Sequence, residues 1–209
     1  MRRLCVLDVD STLITAEVIE LIAERAGTRE QVARITEAAM RGEIDFAESL
    51  AQRVATLKGV PDTVFADVLA EVEFTPGAPE LVAALQRDGW EVALVSGGFA
   101  EVVAPIAERV GITRFRANRL EVADGVLTGR TVGPVIDRAA KAEALREFAA
   151  EVGARIEHTV AIGDGANDLD MMHAAGIGIA FNAKPVVQRE ADIAINSARL
   201  DEVLAVIDL

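Results

Sequence analysis

Four short polar segments of this 209-residue chain carry side chains that together could handle an anion and a proton: Asp8-Val9-Asp10-Ser11-Thr12, Ser96-Gly97-Gly98, Lys141, and Gly163-Asp164-Gly165-Ala166-Asn167-Asp168. Carboxylates two positions apart on an extended segment point the same way, so Asp8 and Asp10 can serve one site. Asp164 follows a different apolar run, and three converging carboxylates repel one another unless a hard cation lies between them. Magnesium suits oxygen ligands and needs few from the protein, because it keeps waters and can take a phosphate oxygen from a substrate. Ser96 followed by Gly97 and Gly98 offers a hydroxyl and backbone amides that can cradle a phosphoryl group, although a serine there can equally cap the following helix. Lys141 taken alone reads as a solvated surface lysine, yet it is the one cation that could arrive at this site. An isolated Asp-x-Asp pair is as readily a solvated turn; the ordered combination is what points to phosphoryl chemistry.

Each segment needs an element to place it. Leu4 to Leu7, Val92 to Val95, Val160 to Ile162, Ile177 to Phe181 and Ile193 to Ile195 are short apolar runs of the kind found in buried parallel strands. Helical spacing covers Pro79 to Arg87, Ala100 to Val110, Ala139 to Val152 and Asp168 to Ala175, with Gly89, Gly111, Gly153 and Gly176 as stops. This alternation predicts an α/β fold with a doubly wound parallel sheet, in which ligands bind beyond the carboxyl ends of the strands. The polar segments follow the apolar runs accordingly.

The pattern breaks between Ile14 and Phe74. Amphipathic helices are expected there over Glu17 to Ala26, Gln31 to Arg41, Phe46 to Lys58 and Asp62 to Val72. They read as a small cap domain over residues 14–74 inserted into a catalytic core made of 1–13 and 75–209, with Thr75-Pro76-Gly77-Ala78-Pro79 as the return hinge. The alternative is that these helices simply cover one face of the sheet. Leu120 to Ala123, Asp124-Gly125 and Val126 to Thr131 form the signature of a two-residue hairpin, an antiparallel flap.

With 51% apolar residues the chain can bury a full core. Its 34 acidic against 21 basic side chains leave a net charge of −13, which repels nucleic acid and also obliges any anionic substrate to meet a local cation or metal. Cys5 lies among Leu4, Val6 and Leu7 and reads as a buried hydrophobe with no disulfide partner. The apolar stretch that ends at Asp8 is too short for a signal or a membrane span, so no membrane partner is expected and the cytoplasm is the expected location. His158, His173, Trp90, Met171 and Met172 are assigned no role.

In order and spacing, the Asp8 to Thr12 signature, Ser96, Lys141 and the Gly163 to Asp168 segment resemble the motifs of the haloacid dehalogenase superfamily. Glu17, Phe46 to Arg53, Val95 to Phe99, Ala117-Asn118-Arg119 and Ala183-Lys184-Pro185 are similar to its phosphoserine-hydrolysing branch, and the resemblance spans essentially the whole chain. It implies a Mg2+-dependent phosphatase acting on O-phospho-L-serine at the last step of serine biosynthesis. On that resemblance Asp8 is the nucleophile that becomes an aspartyl-phosphate, Asp10 is the acid and then the base, and Lys141 completes the catalytic set. An ordinary aspartate pKa is too low for the acid, so the Asp10 environment is expected to raise it. Magnesium would be held by Asp8, Asp164 and the backbone oxygen of Asp10. Ser96, the Gly97 amide and Lys141 would hold phosphoryl oxygens with Gly98 and Asn167 beside them, Asp168 would orient Lys141 or a metal-bound water, and Asn167 or Asp168 could alternatively cap the next helix. Glu17 would take the substrate ammonium and Arg53 its carboxylate, with Met40 and Phe46 shielding the pocket.

Two rivals share parts of this pattern. One is an enzyme of the same fold that passes phosphate to an alcohol such as homoserine. The other is a receiver-type phosphorylation switch, against which the helical insertion and the hydrolysis-promoting Asp10 argue. A monomer or homodimer is expected, and with Asp8 so near the start no preceding regulatory domain is expected.

Overall fold

The structure is a computed structural model that describes residues 2–40 and 43–207, without the Met40 side chain. Its centre is a six-stranded, wholly parallel sheet in the order β3-β2-β1-β6-β7-β8, formed by β1 (Arg3–Leu7), β2 (Trp90–Phe99), β3 (Arg114–Asn118), β6 (Thr159–Gly163), β7 (Ile177–Phe181) and β8 (Ile193–Ile195). From β1 the chain first builds outward through β2 and β3, then returns to the other side of β1 to build β6, β7 and β8. The order therefore reverses beside β1, and the crevice there is where such sheets bind ligands. The doubly wound expectation holds.

Burial explains which runs became central strands. Leu4, Val6, Ala93, Val95, Ala161 and Ala180 face one side, against α7 (Arg138–Val152) and α8 (Leu169–Ala174), while Cys5, Leu7, Leu94 and Ile162 face the side covered by α5 (Ala78–Arg87) and α6 (Ala100–Arg109). Strands buried on both faces must be apolar at successive positions, as these are. At the sheet's edge β3 has only Phe115 and Ala117 as apolar residues, and no strand was expected there; its arginines pair with Glu91 and Glu147 instead. β2 also runs past the expected Val95, so Ser96, Gly97 and Gly98 lie within extended backbone rather than in a turn. α8 agrees with the expected Asp168 to Ala175 to within a residue at each end, and Ala166–Asp168 add a tight helical turn ahead of it. A short helix, α9 (Pro185–Glu190), and a helical turn over Leu200–Ala205 complete the chain.

Between β1 and α5 lie α1 (Val18–Ala26), α2 (Arg29–Met40), α3 (Phe46–Ala55) and α4 (Val64–Glu71), all helical as the spacing predicts. The chain enters and leaves this helical block side by side: Ile14 bridges Phe74, Thr15 N–H donates to Glu73 O at 3.1 Å, and Thr75 N–H donates to Leu13 O at 2.9 Å. Gly77, at φ 82°, then turns the chain into α5 in a backbone conformation that other residues rarely adopt. The hairpin of β4 (Leu120–Ala123) and β5 (Val126–Thr131) forms as expected, with both turn residues, Asp124 and Gly125, at positive φ. Its tip reaches the α3–α4 connection, where Gly59 N–H donates to Leu127 O at 2.8 Å, Leu127 N–H to Val60 O at 2.8 Å and Asp62 N–H to Gly125 O at 2.9 Å.

Candidate active site

Asp8 and Asp164 sit just beyond the carboxyl ends of β1 and β6, adjacent strands whose register pairs Leu7 with Ile162. Asp10 arrives differently from the sequence expectation. β1 ends at Leu7, and Val9–Leu13 make one wide turn, closed by Ile14 N–H to Val9 O at 3.0 Å, in which Ser11 takes φ 57°. Turn geometry, rather than strand alternation, brings Asp10 beside Asp8.

Beneath these carboxylates lies a buried ion triad. Lys141, fully buried in the first turns of α7, donates through Nζ to Asp8 Oδ1 at 2.6 Å and to Asp168 Oδ1 at 2.7 Å. Asp137 caps α7 by accepting from Ala140 N–H at 2.8 Å, which fixes the turn from which the lysine projects. The other oxygen of Asp168 accepts from the backbone N–H groups of Asp164 at 3.2 Å and Gly165 at 3.0 Å, so one buried carboxylate orients both the lysine and the Asp164 loop. A Cβ on Gly163 would lie 2.5 Å from that carboxylate, so the close approach requires glycine. Burial acts to lower the Lys141 pKa, but Asp168 and Asp8 outweigh it and keep the lysine charged. A buried cation held by two anions tolerates loss of no partner.

The carboxylates above the triad are held out of their ordinary range. Burial, then the Asp168 charge, raises the Asp8 pKa despite Lys141. Burial, then Glu17, pushes Asp10 up to about 8, and burial with Asp168 pushes Asp164 to about 7. Buried carboxylates crowded in this way are relieved by a hard cation, which oxygen donors suit. Carboxylate oxygens of Asp8, Asp164 and Asp168 lie within 4.8 Å of one another. Since both Asp168 oxygens are already engaged, the free oxygens of Asp8 and Asp164 are those suited to a hard cation. Asp10 Oδ1 is buried without a hydrogen-bond partner among the described residues, while its Oδ2 accepts from Val18 N–H at 3.1 Å at the start of α1.

A cavity of about 130 Å³ opens over these groups, and Asp8, Asp10 and Asp164 form its floor. Gly97, Gly98 and Asn167 line its sides. A Cβ on Gly98 would come within 3.3 Å of the Asp10 carboxylate, so the backbone there runs close against it. Ser96 is fully buried behind this wall and does not line the cavity; its Oγ accepts from Gly98 N–H at 2.9 Å rather than capping α6. Lys141 likewise stands behind Asp8.

The helical block supplies the roof. Glu17, Phe46 and Arg53 all face the cavity, joined by Ile19 and Leu50, to which sequence reading gave no role of their own, while Gly165 lines it from the core. Ile19 and Leu50 carry only a helical apolar spacing, a signal that does not separate pocket wall from core. Ser11 Oγ donates to Glu17 Oε1 at 2.6 Å, and loss of surrounding water still raises the Glu17 pKa. Arg53 donates through Nε to Ser49 O at 3.3 Å and makes no ion pair among the described residues, so its guanidinium is available to an anion in the cavity. The Met40 side chain lies outside the described residues.

A family model for haloacid dehalogenase-like hydrolases matches residues 5–173. Phosphoserine phosphatase SerB2 of Mycobacterium tuberculosis is 55% identical over 203 residues, 97% of this chain and 50% of that protein. The phosphoserine phosphatase of Streptomyces coelicolor likewise matches at 55% identity across 50% of its length, so the chain spans about half the length of these two relatives. Against the phosphoserine phosphatase of Streptococcus thermophilus, identity is 50% with 100% of this chain and 97% of that protein covered. Among solved structures, a phospho-aspartyl intermediate analogue of phosphoserine phosphatase superposes with a TM-score of 0.93 at 43% identity, covering 99% of both chains. A substrate-bound phosphoserine phosphatase complex gives 0.94 at 42% identity, covering 100% of this chain and 99% of that one.

Proposed function

This chain belongs to the haloacid dehalogenase-like hydrolase family, and from that premise we propose that it is a magnesium-dependent phosphatase converting O-phospho-L-serine to serine and phosphate, the last step of serine biosynthesis. The observation that carries the reading is one cavity with a carboxylate floor at one end and, at the other, a glutamate beside an arginine that has no ion pair among the described residues. A phosphorylated amino acid presents the matching groups: a phosphate for the floor, an ammonium for Glu17 and a carboxylate for Arg53. Phe46 and Met40 are the proposed shields of that pocket from water.

In the proposed reaction Lys141 holds the Asp8 carboxylate in place and one of its oxygens attacks phosphorus in line, the other being left to the cation. The phosphorus–oxygen bond to serine breaks as the aspartyl-phosphate forms. Asp10, whose pKa burial and Glu17 raise to about 8, gives its proton to the departing serine oxygen. The carboxylate so formed takes a proton from water as that water attacks phosphorus, releasing phosphate and restoring Asp8. Asp8, Asp164 and the backbone oxygen of Asp10 would hold Mg2+, which when bound supplies positive charge against the phosphoryl oxygens. Ser96, Gly97, Gly98 and Asn167 are the proposed phosphate-binding group, and Asp168 keeps Lys141 aimed at Asp8.

We take residues 14–74 as a cap domain on a core of 1–13 and 75–209, hinged where Leu13–Thr75 and Thr15–Glu73 lie side by side. No helix among the described residues is long and apolar enough to cross a membrane. A cytoplasmic monomer or homodimer, binding neither nucleic acid nor membrane, fits the charge of −13.

Phosphate release from L-phosphoserine, phosphothreonine and sugar phosphates, with magnesium or EDTA and with added homoserine, tests this. Magnesium-dependent preference for phosphoserine is expected; transfer to homoserine would make the chain a phosphotransferase, and a long-lived phosphoprotein without turnover would make it a switch.

A further inference from the structure

Asn118, the last residue of β3, is a polar side chain only 2% exposed, and the Ala117-Asn118-Arg119 segment that contains it has no place in the chemistry above. β2 and β3 run in register as far as Ser96 and Ala117, but the next pair is Phe99 and Asn118, so Gly97 and Gly98 are inserted into β2 without partners in the ladder. Buried backbone groups displaced from a ladder must be satisfied elsewhere. Asn118 Nδ2 donates to Gly97 O at 2.9 Å, and Asn118 Oδ1 accepts from Ile136 N–H at 2.8 Å. The amide can be oriented only this way, because a carbonyl can only accept and an N–H can only donate.

Gly97 O and Gly98 N–H belong to one peptide group, and its other end donates to Ser96 Oγ at 2.9 Å. That peptide is thus held at both ends. On its far side Asn118 grips Ile136, which immediately precedes the Asp137 cap of α7, the helix that carries Lys141. A single carboxamide therefore ties the glycine wall of the cavity to the base of the lysine helix.

We infer that Asn118 is a positioning residue for phosphoryl binding: it locks the Gly97–Gly98 peptide and sets its spacing from α7, so that the Gly97 N–H meets an incoming phosphoryl group from a fixed wall, the Gly98 N–H being already taken by Ser96 Oγ. The inference rests on the phosphatase reading above. Two adjacent glycines have the freest backbone in the chain, and donors that must reorganise during reaction stabilise a transition state far less than preset ones.

The test uses the full chain with magnesium, comparing wild type, Asn118→Ala and Asn118→Asp by phosphoserine hydrolysis and by calorimetric titration with orthophosphate and, separately, with L-serine. Asn118→Asp keeps the acceptor for Ile136 but sets an oxygen against Gly97 O, whereas Asn118→Ala removes both bonds. The expected result is folded variants whose kcat falls on the order of 10- to 100-fold, with orthophosphate bound about tenfold more weakly and L-serine affinity unchanged, since serine alone meets only the Glu17 and Arg53 end. Wild-type kcat and phosphate affinity in a folded variant would overturn the inference, as would equal weakening of both ligands or failure of both variants to fold, each of which makes Asn118 a packing residue. Were the wild type inactive on phosphoserine, the phosphatase reading would fall, while the orthophosphate titration would still report on Asn118.

Discussion

The floor and the roof of the cavity are built on opposite plans. On the floor, Asp8, Lys141 and Asp168 are 4% exposed or less, come from three separate elements and tie down nearly every polar atom among themselves. On the roof, Glu17 is exposed and Arg53 half-buried, each side chain makes one hydrogen bond among the described residues, and they stand at the start of α1 and on α3, in the helical block joined to the core by paired chain crossings at 13–15 and 73–75. Under the proposed function the difference follows from what each must do. Bond making at phosphorus tolerates little error in position, so its groups belong on a sheet buried on both sides. Recognition of a free amino acid needs charges that stay solvated until a ligand arrives, because a buried, unsatisfied ion pair would cost more than it returns.

If that contrast is right, substitutions on the floor and roof should fail in different ways. Asp8→Asn should show the largest effect, a loss of at least about 10³-fold in kcat with binding largely retained, read by phosphate release and ligand titration. Lys141→Ala should come next and should damage the fold as well as the reaction: with two buried carboxylates left facing each other, about 3–5 kcal/mol of stability is expected to go, measurable by urea unfolding. Arg53→Ala should leave stability within about 1 kcal/mol and raise KM for phosphoserine roughly 10- to 100-fold, with little change for phosphoethanolamine, which lacks a carboxylate. A comparable stability loss from Arg53→Ala and Lys141→Ala would erase the distinction.

The smallest effect concerns pH. Asp164 has its pKa raised from 3.8 to about 7, so in metal-free protein the folded state binds more protons than the unfolded state between those values. Stability contributed by the protonated form is present below the unfolded value and is lost as pH rises toward about 7. Melting temperature in EDTA should therefore fall over that interval, and magnesium should offset the fall most at the upper end; a metal-free melting temperature that rises steadily instead would contradict the crowding of carboxylates on the floor.

Much of this architecture was legible in the chain. The runs ending at Leu7, Ile162 and Phe181 are apolar at consecutive positions because both of their faces are buried, and a strand of that kind announces itself. Asp8, Asp10 and Asp164 follow such runs and do meet on one cavity. β3 was not legible, since an edge strand can carry Arg114 and Arg116 in ion pairs with neighbouring helices and strands. Asn118 was visible as part of a motif, but its bonds to residues 97 and 136 depend on a two-residue insertion in the β2–β3 register that local spacing does not encode.

Residue type and order were enough to point to an α/β chain with carboxylates at its strand ends, because hydrophobic periodicity and strand-end placement are local properties that need no partner; Lys141 and the glycines joined them only through the family resemblance. Burial of Lys141 between Asp8 and Asp168, the placing of Arg53 on the cavity, and the seating of Asn118 behind Gly97 were decided only when distant segments packed together. Charge and hydrogen-bonding state depend on which groups exclude water from one another, and that is a property of contacts formed across the whole fold.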